Sequence, residues 1–193
     1  MNKMPLFTFS EIFDILVMTA VVGYIFSGIF KKPTSYDYDP IKQFKYGFNI
    51  EDFKFAAMVT APAIILHELG HKFVALGFGL QATFKAAYFF LGLGLILKFM
   101  NFGFIFFVPA YISILGRATP LEFSLVAFAG PAINLVLWLG SLAAVKYNLF
   151  PKKYNPFLLL TGKINMFLFI FNMIPIPGFD GSKVFSGLIQ AFF

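Results

Sequence analysis

Residues 64–73 read IILHELGHKF. They set His67, Glu68 and His71 in the middle of an apolar run. On a helix, His67 and His71 stand at i and i+4, one turn apart on one face, so both imidazoles can reach a single ion. Glu68 projects about 100° round from His67, too far to share that face but near enough to contact a water on the ion. H-E-x-x-H on a helix is the pattern of a zinc site with a general base: the metal lowers the pKa of its water to about 7 and the glutamate takes the proton. The plainer reading is a pair of interfacial histidines that happen to flank a glutamate. Against it, the chain has only 2 histidines and both are here, and a glutamate buried in an apolar helix is costly without a purpose.

Zinc that does chemistry takes three protein ligands and keeps one position open. There are no cysteines and no further histidines, so the third ligand has to be an acid. Glu11, Asp14, Asp37, Asp39, Glu51, Asp52 and Glu122 lie in loops or near the ends of apolar runs. Asp180 sits instead inside the last apolar region, in the break FNMIPIPGFDGSKVF of residues 171–185. Intramembrane acids are functional candidates by default, although an Asp-Gly helix cap would look the same in sequence. Asn134 and Asn172 are also polar groups in apolar surroundings. A buried amide needs partners, and each asparagine suits either substrate binding or glue between helices.

Charged residues make up 12% of the 193-residue chain and hydrophobic residues 59%, with 30 phenylalanines. A soluble domain carries about 25% charge, so most of this surface is expected to face lipid. The net charge of +6 is spread over loops and ends. With no basic aromatic tract, the lysines read as membrane-surface anchors, and no nucleic-acid partner is expected. Glu11 and Asp14 interrupt the start of the first apolar run and no small-residue cleavage site follows it, so it reads as a retained span rather than a leader.

The expected elements are a peripheral membrane helix over residues 12–30, a polar loop over 34–52, and a long helix from an Asp52 cap to Phe78, bent at Pro62. The cleanest spanning helix follows over 123–145, then a polar loop, a further helix over about 157–171 with Lys163 inside it, and a last helix that resumes from Ser182. The Phe-rich stretch from Gln81 to Gly116 is too broken to span. Such backbone is tolerated at membrane depth only against protein or a water-filled cavity, so a hairpin or re-entrant segment lining a cavity is expected there.

Three motifs in order carry a resemblance. They are His67-Glu68-Leu69-Gly70-His71; Ala129-Gly130-Pro131 followed by Asn134; and Asn172-Met173-Ile174-Pro175 running to Asp180-Gly181. Over roughly Pro62 to Lys183 the chain resembles the site-2 protease family of intramembrane zinc metalloproteases. The resemblance implies a mainly α, polytopic membrane protein, with four to six spanning or re-entrant segments around a three-helix catalytic core and a β-ribbon after the first core helix. It implies one membrane-embedded domain over residues 1–193, with the core at about 52–193. It implies Zn2+ held by His67, His71 and Asp180, Glu68 as base and acid, and Asn134 and Asn172 positioning the scissile peptide. The implied substrates are membrane-spanning segments of other proteins, met in the lipid bilayer. A multi-pass protein of a prokaryotic plasma membrane is expected, with the metal toward the cytosolic side. The chain departs from members that insert a PDZ domain, since residues 146–156 are too short for one. The competing reading is a membrane metal transporter or a metal-binding protein without proteolytic activity.

Overall fold

The computed structural model describes residues 6–31, 48–100 and 109–193. Most of the polar loop expected over 34–52 falls outside the described residues, as does the segment 101–108 of the Phe-rich stretch. The described chain is mainly helical.

Helix α1 runs from Phe9 to Phe26. It starts and stops earlier than the span expected over 12–30. Thr8 caps it: the Glu11 amide donates to Thr8 Oγ1, and the Glu11 carboxylate accepts from the Thr8 amide at 2.8 Å. This Thr-x-x-Glu capping box satisfies two orphan backbone donors. Glu11 and Asp14 therefore lie within the helix rather than interrupting it. They are 1% and 6% exposed, and each finds partners outside the helix.

Helix α2 spans Ile50–Gly77. Its cap is Asn49, whose Oδ1 accepts from the amides of Glu51 and Asp52. Asp52 lies in the first turn, where its charge complements the helix dipole, rather than at the cap. Strand β1 (Gln81–Ala86) and strand β2 (Ala110–Leu115) pair antiparallel, in a register from Gln81 opposite Leu115 to Ala86 opposite Ala110. Between them lies helix α3, Tyr88–Phe99. The stretch expected to be hairpin or re-entrant is thus a β-ribbon with a helix between its strands. At about 18 Å that helix is too short to cross a bilayer.

Helix α4 spans Pro120–Lys146, opened by a second capping box from Thr119 to Glu122 with proline at its first turn. A 3-10 turn at Lys152–Tyr154 leads into α5, Asn155–Asn172. The Pro-Gly break follows, and α6 begins at Asp180 and runs to Phe192. Helix α4 packs against α2, α5 and α6, while α1 packs on α2, and the ribbon lies across α1 and α2. The crossing of α2 and α4 is close. A Cβ on Gly70 would come within 2.8 Å of the Ala129 carbonyl oxygen.

One apolar cluster joins Met18 and Val22 of α1 to Phe84 and Ala86 of β1, Leu91 of α3 and Ala110 of β2. A second joins Ala75 of α2 to Leu80, Ala82 and Val126. Large apolar side chains such as Phe9, Leu16, Val136 and Phe89 point outward and are exposed. Four helical segments, Phe9–Phe26, Ile50–Gly77, Pro120–Lys146 and Lys152–Asn172, are long and apolar enough to cross a membrane. The outward apolar faces and these lengths together make this a membrane protein.

Candidate metal centre

His67 and His71 lie on the last three turns of α2, ten and six residues before Gly77, about 15 and 9 Å along the axis from its end. Asp180 reaches them from the first residue of α6. The three side chains are buried and could hold a metal ion. His67 Nε2, His71 Nε2 and Asp180 Oδ2 form a triangle with each edge 3.1 Å.

The backs of the two imidazoles decide what that triangle can hold. His67 Nδ1 is 2.5 Å from Asn134 Oδ1, and His71 Nδ1 is 2.7 Å from the Val126 carbonyl oxygen. The Asn134 amide group donates to the Ala63 carbonyl at 3.2 Å and to Asn165 Oδ1 at 2.8 Å, so its oxygen is the atom that faces His67. Both partners of the histidines are acceptors. Each Nδ1 therefore carries the proton and donates, leaving a lone pair on each Nε2. Two lone pairs and a carboxylate oxygen then converge with no proton between them, an arrangement that repels unless a cation sits there. Tetrahedral zinc with bonds of about 2.0–2.1 Å has ligand-to-ligand edges of about 3.3 Å, close to those of this triangle. Two imidazoles and one carboxylate are also the kind of donor set that leaves a position open. The residues fit zinc.

Gly130 explains the middle motif. A Cβ there would lie 2.3 Å from His71 Nε2 and 2.8 Å from His67 Nε2, so the imidazoles rest on the bare backbone of α4. Pro131 has no amide to donate to the Ala127 carbonyl. The Val126 carbonyl is the one that receives His71.

The triangle opens into a cavity of about 360 Å³ lined by Glu68, Asn172 and Lys183, by Phe123, Val126 and Ala127 of α4, and by Pro109 to Ile112 and Ile114 of the ribbon. Glu68 is 8% exposed and, among the described residues, is held by no hydrogen bond. Lys183, one turn into α6, places its Nζ 3.5 Å from the other Asp180 oxygen, Oδ1. Asn172 lines the cavity and donates to the Leu168 carbonyl at 3.0 Å.

Of the six residues expected at the site, five line one cavity. Asn134 differs. It is wholly buried behind His67, with its oxygen and its amide group committed to protein partners. Asn165 was not singled out in the sequence. It is also 0% exposed and anchors Asn134 while donating to the Thr161 carbonyl. Its signal in the sequence was an asparagine in a largely apolar helix, weakened by Lys163 two residues before it, whereas Asn134 stands in a run without charge. Partners behind a ligating histidine hold its tautomer and typically govern metal affinity by about 10- to 100-fold. Asn134→Ala is therefore expected to weaken zinc binding by about that factor, measured by competition with a chromophoric chelator.

No family model matches the chain, and no solved structure does. Two named proteins do. "Putative zinc metalloprotease MJ0611" of Methanocaldococcus jannaschii is 34% identical over 190 residues, covering 94% of this chain and 87% of the relative. The chain belongs to this zinc metalloprotease family. "Putative zinc metalloprotease sll0528" of Synechocystis is 31% identical over 133 residues, which is 69% of this chain and 31% of that longer protein. Zinc is thus the metalloprotease's cofactor, and the His67, His71 and Asp180 group is where it can bind.

Proposed function

We propose that this metalloprotease is an intramembrane endopeptidase of the site-2 type, a multi-pass protein that cuts membrane-spanning segments of other proteins. The observation that carries the reading is the place of the metal triangle. It opens, with Glu68, into a cavity among helices long and apolar enough to cross a membrane, about 9–15 Å below the end of α2.

His67, His71 and Asp180 hold the zinc, on a core made by α2, α4 and the segment α5–α6. When bound, zinc supplies Lewis acidity and makes water nucleophilic near neutral pH. Glu68 accepts the proton of the attacking water and returns it to the leaving amide nitrogen. Asn134, with Asn165 behind it, keeps the His67 ring turned so that its lone pair faces the centre. Asn172, on the cavity wall, is the asparagine placed to meet the scissile peptide.

A helical substrate has its backbone groups paired internally and must unwind to expose a peptide bond. The ribbon supports a way to hold it extended. The amide of Ala87 donates to the Pro109 carbonyl, so residues of odd number in β1 face β2. Phe84 and Ala86 point their amides away from β2. In this register their partners Ile112 and Ala110, and likewise Ile114, present their own amides and carbonyls on the far edge of β2. These three residues line the cavity. An unwound segment that adds to this edge lies between the ribbon and Glu68.

The test uses the zinc-loaded protein in liposomes with a panel of single-span membrane proteins. Cleavage is expected within the spanning segments, placed by mass spectrometry of the products. Chelation by phenanthroline should remove at least about 99% of it, and zinc should restore it. Cuts confined to soluble loops would refute intramembrane action. Bound zinc with no cleavage of any panel member would favour metal binding or transport.

A further inference from the structure

The first helix carries two acids that the chemistry above does not use. Glu11 and Asp14 stand at i and i+3 on one face of α1, both buried. Glu11 accepts from Lys72 Nζ and, at 2.7 Å, from the amide of Phe84. Lys72 follows His71 directly in α2, is 1% exposed, and lies over the ring of Phe7. Asp14 accepts from the amide of Ala86 at 3.1 Å and from the Tyr88 hydroxyl at 2.5 Å.

These contacts fall on one edge of the ribbon. The amides of Phe84 and Ala86 are two of the three outward donors of β1, with Ala82 the third, and would otherwise be open to a further strand. Two carboxylates of a neighbouring helix occupy them. One of those carboxylates, that of Glu11, is also tied to Lys72, the residue beside the candidate ligand His71. At the far end of the same unit, Lys98 of α3 donates to the carbonyls of Tyr24 and Ile25 and to Ser27 Oγ, closing the C-terminus of α1.

We propose that Glu11 and Asp14 are positioning residues of the ribbon. They block the Phe84–Ala86 part of the outer edge of β1 against pairing and hold that end of the sheet at a fixed height over α2, so that the edge of β2 on the cavity is where a substrate strand adds. Buried ion pairs contribute little net stability against well-packed apolar residues. Unpaired strand edges, in contrast, are sites of wrong pairing that folds commonly block. Charge at this edge therefore serves register and specificity. The proposal rests on the strand-addition reading above.

Asp14 offers the clean test, because Glu11 cannot be removed without stranding Lys72. Asp14→Ala leaves the Ala86 amide without its acceptor. Asp14→Asn keeps one, and its amide group can donate to the Tyr88 oxygen. Both are compared with wild type as zinc-loaded protein in nanodiscs. Deuterium uptake over residues 81–86 should be about tenfold faster in Asp14→Ala. For the panel protein that the wild type cleaves fastest, KM should rise about fivefold with kcat and zinc content held. Asp14→Asn should restore both readouts.

Unchanged uptake in Asp14→Ala, or equal loss of zinc in both variants, would overturn the proposal. Ile112→Pro separates it from the reading beneath it. The Ile112 amide faces the cavity, so proline removes no ribbon hydrogen bond and only the one a substrate would make. An unchanged KM in Ile112→Pro would overturn strand addition itself. A raised KM there, with unchanged uptake in Asp14→Ala, would overturn the role of α1 alone.

Discussion

Glu68→Gln should abolish peptide hydrolysis while leaving the zinc in place. The side chain keeps its size, and among the described residues its carboxylate makes no hydrogen bond that glutamine would break. Glutamine is neutral and nearly isosteric, so the thermal midpoint should hold within a few degrees. In the proposed mechanism, the basic oxygen that accepts the water proton is then lost. General-base catalysis contributes typically 10²- to 10⁴-fold, so cleavage should fall by about 10³-fold. The check pairs metal analysis of the purified variant with initial cleavage rates on the single-span panel. Zinc near one per chain with activity retained would remove Glu68 from the proton-transfer role. Loss of zinc would make it a ligand instead, and the triangle of His67, His71 and Asp180 would then be incomplete as an account of the centre.

Gly130→Ala should cost zinc, not helix. Alanine favours a helix over glycine by about 1 kcal/mol, so local propensity predicts a gain in α4. The added methyl would nonetheless sit 2.3 Å from His71 Nε2, 2.6 Å from its Cε1 and 2.8 Å from His67 Nε2. The rings cannot simply swing aside, because Asn134 and the Val126 carbonyl hold both of them from behind. Either those bonds break or α4 backs away from α2. Zinc affinity should drop by at least about 100-fold, the upper end of what disturbed supporting contacts cause. Circular dichroism should report helix content equal to wild type. Chelator competition measures the affinity, and an unchanged value would mean that α4 can yield at no cost and that its contact with the imidazoles is incidental.

Much of the centre was legible before any coordinates. His67, Glu68 and His71 stand out by helix periodicity; the lack of cysteine and of a third histidine narrows the third ligand only to an acid, and Asp180 is favoured among the acids by its place in the Pro-Gly break and by the family resemblance. The helices long and apolar enough to cross a membrane follow from runs of apolar residues of sufficient length. Their starts are less legible: α1 begins at Phe9 and α2 is capped by Asn49. In both cases acids read as outside or as caps lie within the first turns. A carboxylate in an apolar run looks like an interruption until its partners are known.

The sequence by itself determined the chemistry available to this protein: one pair of imidazoles, one acid between them, a small set of candidate third ligands, and apolar helices to carry them. Local periodicity suffices for that, because those residues lie within one or two turns of each other or are the last of their kind in the chain. Only the tertiary structure decided how the groups are held. Asn134, a candidate for substrate contact in the sequence, is hydrogen-bonded to His67 with Asn165 behind it, because two asparagines 31 residues apart are brought together by the packing of their helices. Glu11 and Asp14 became partners of strand amides 73 and 72 residues away, respectively. A hydrogen bond depends on position and direction in space, and for groups so far apart in the chain those are set by how helices pack, which no local pattern of residues encodes.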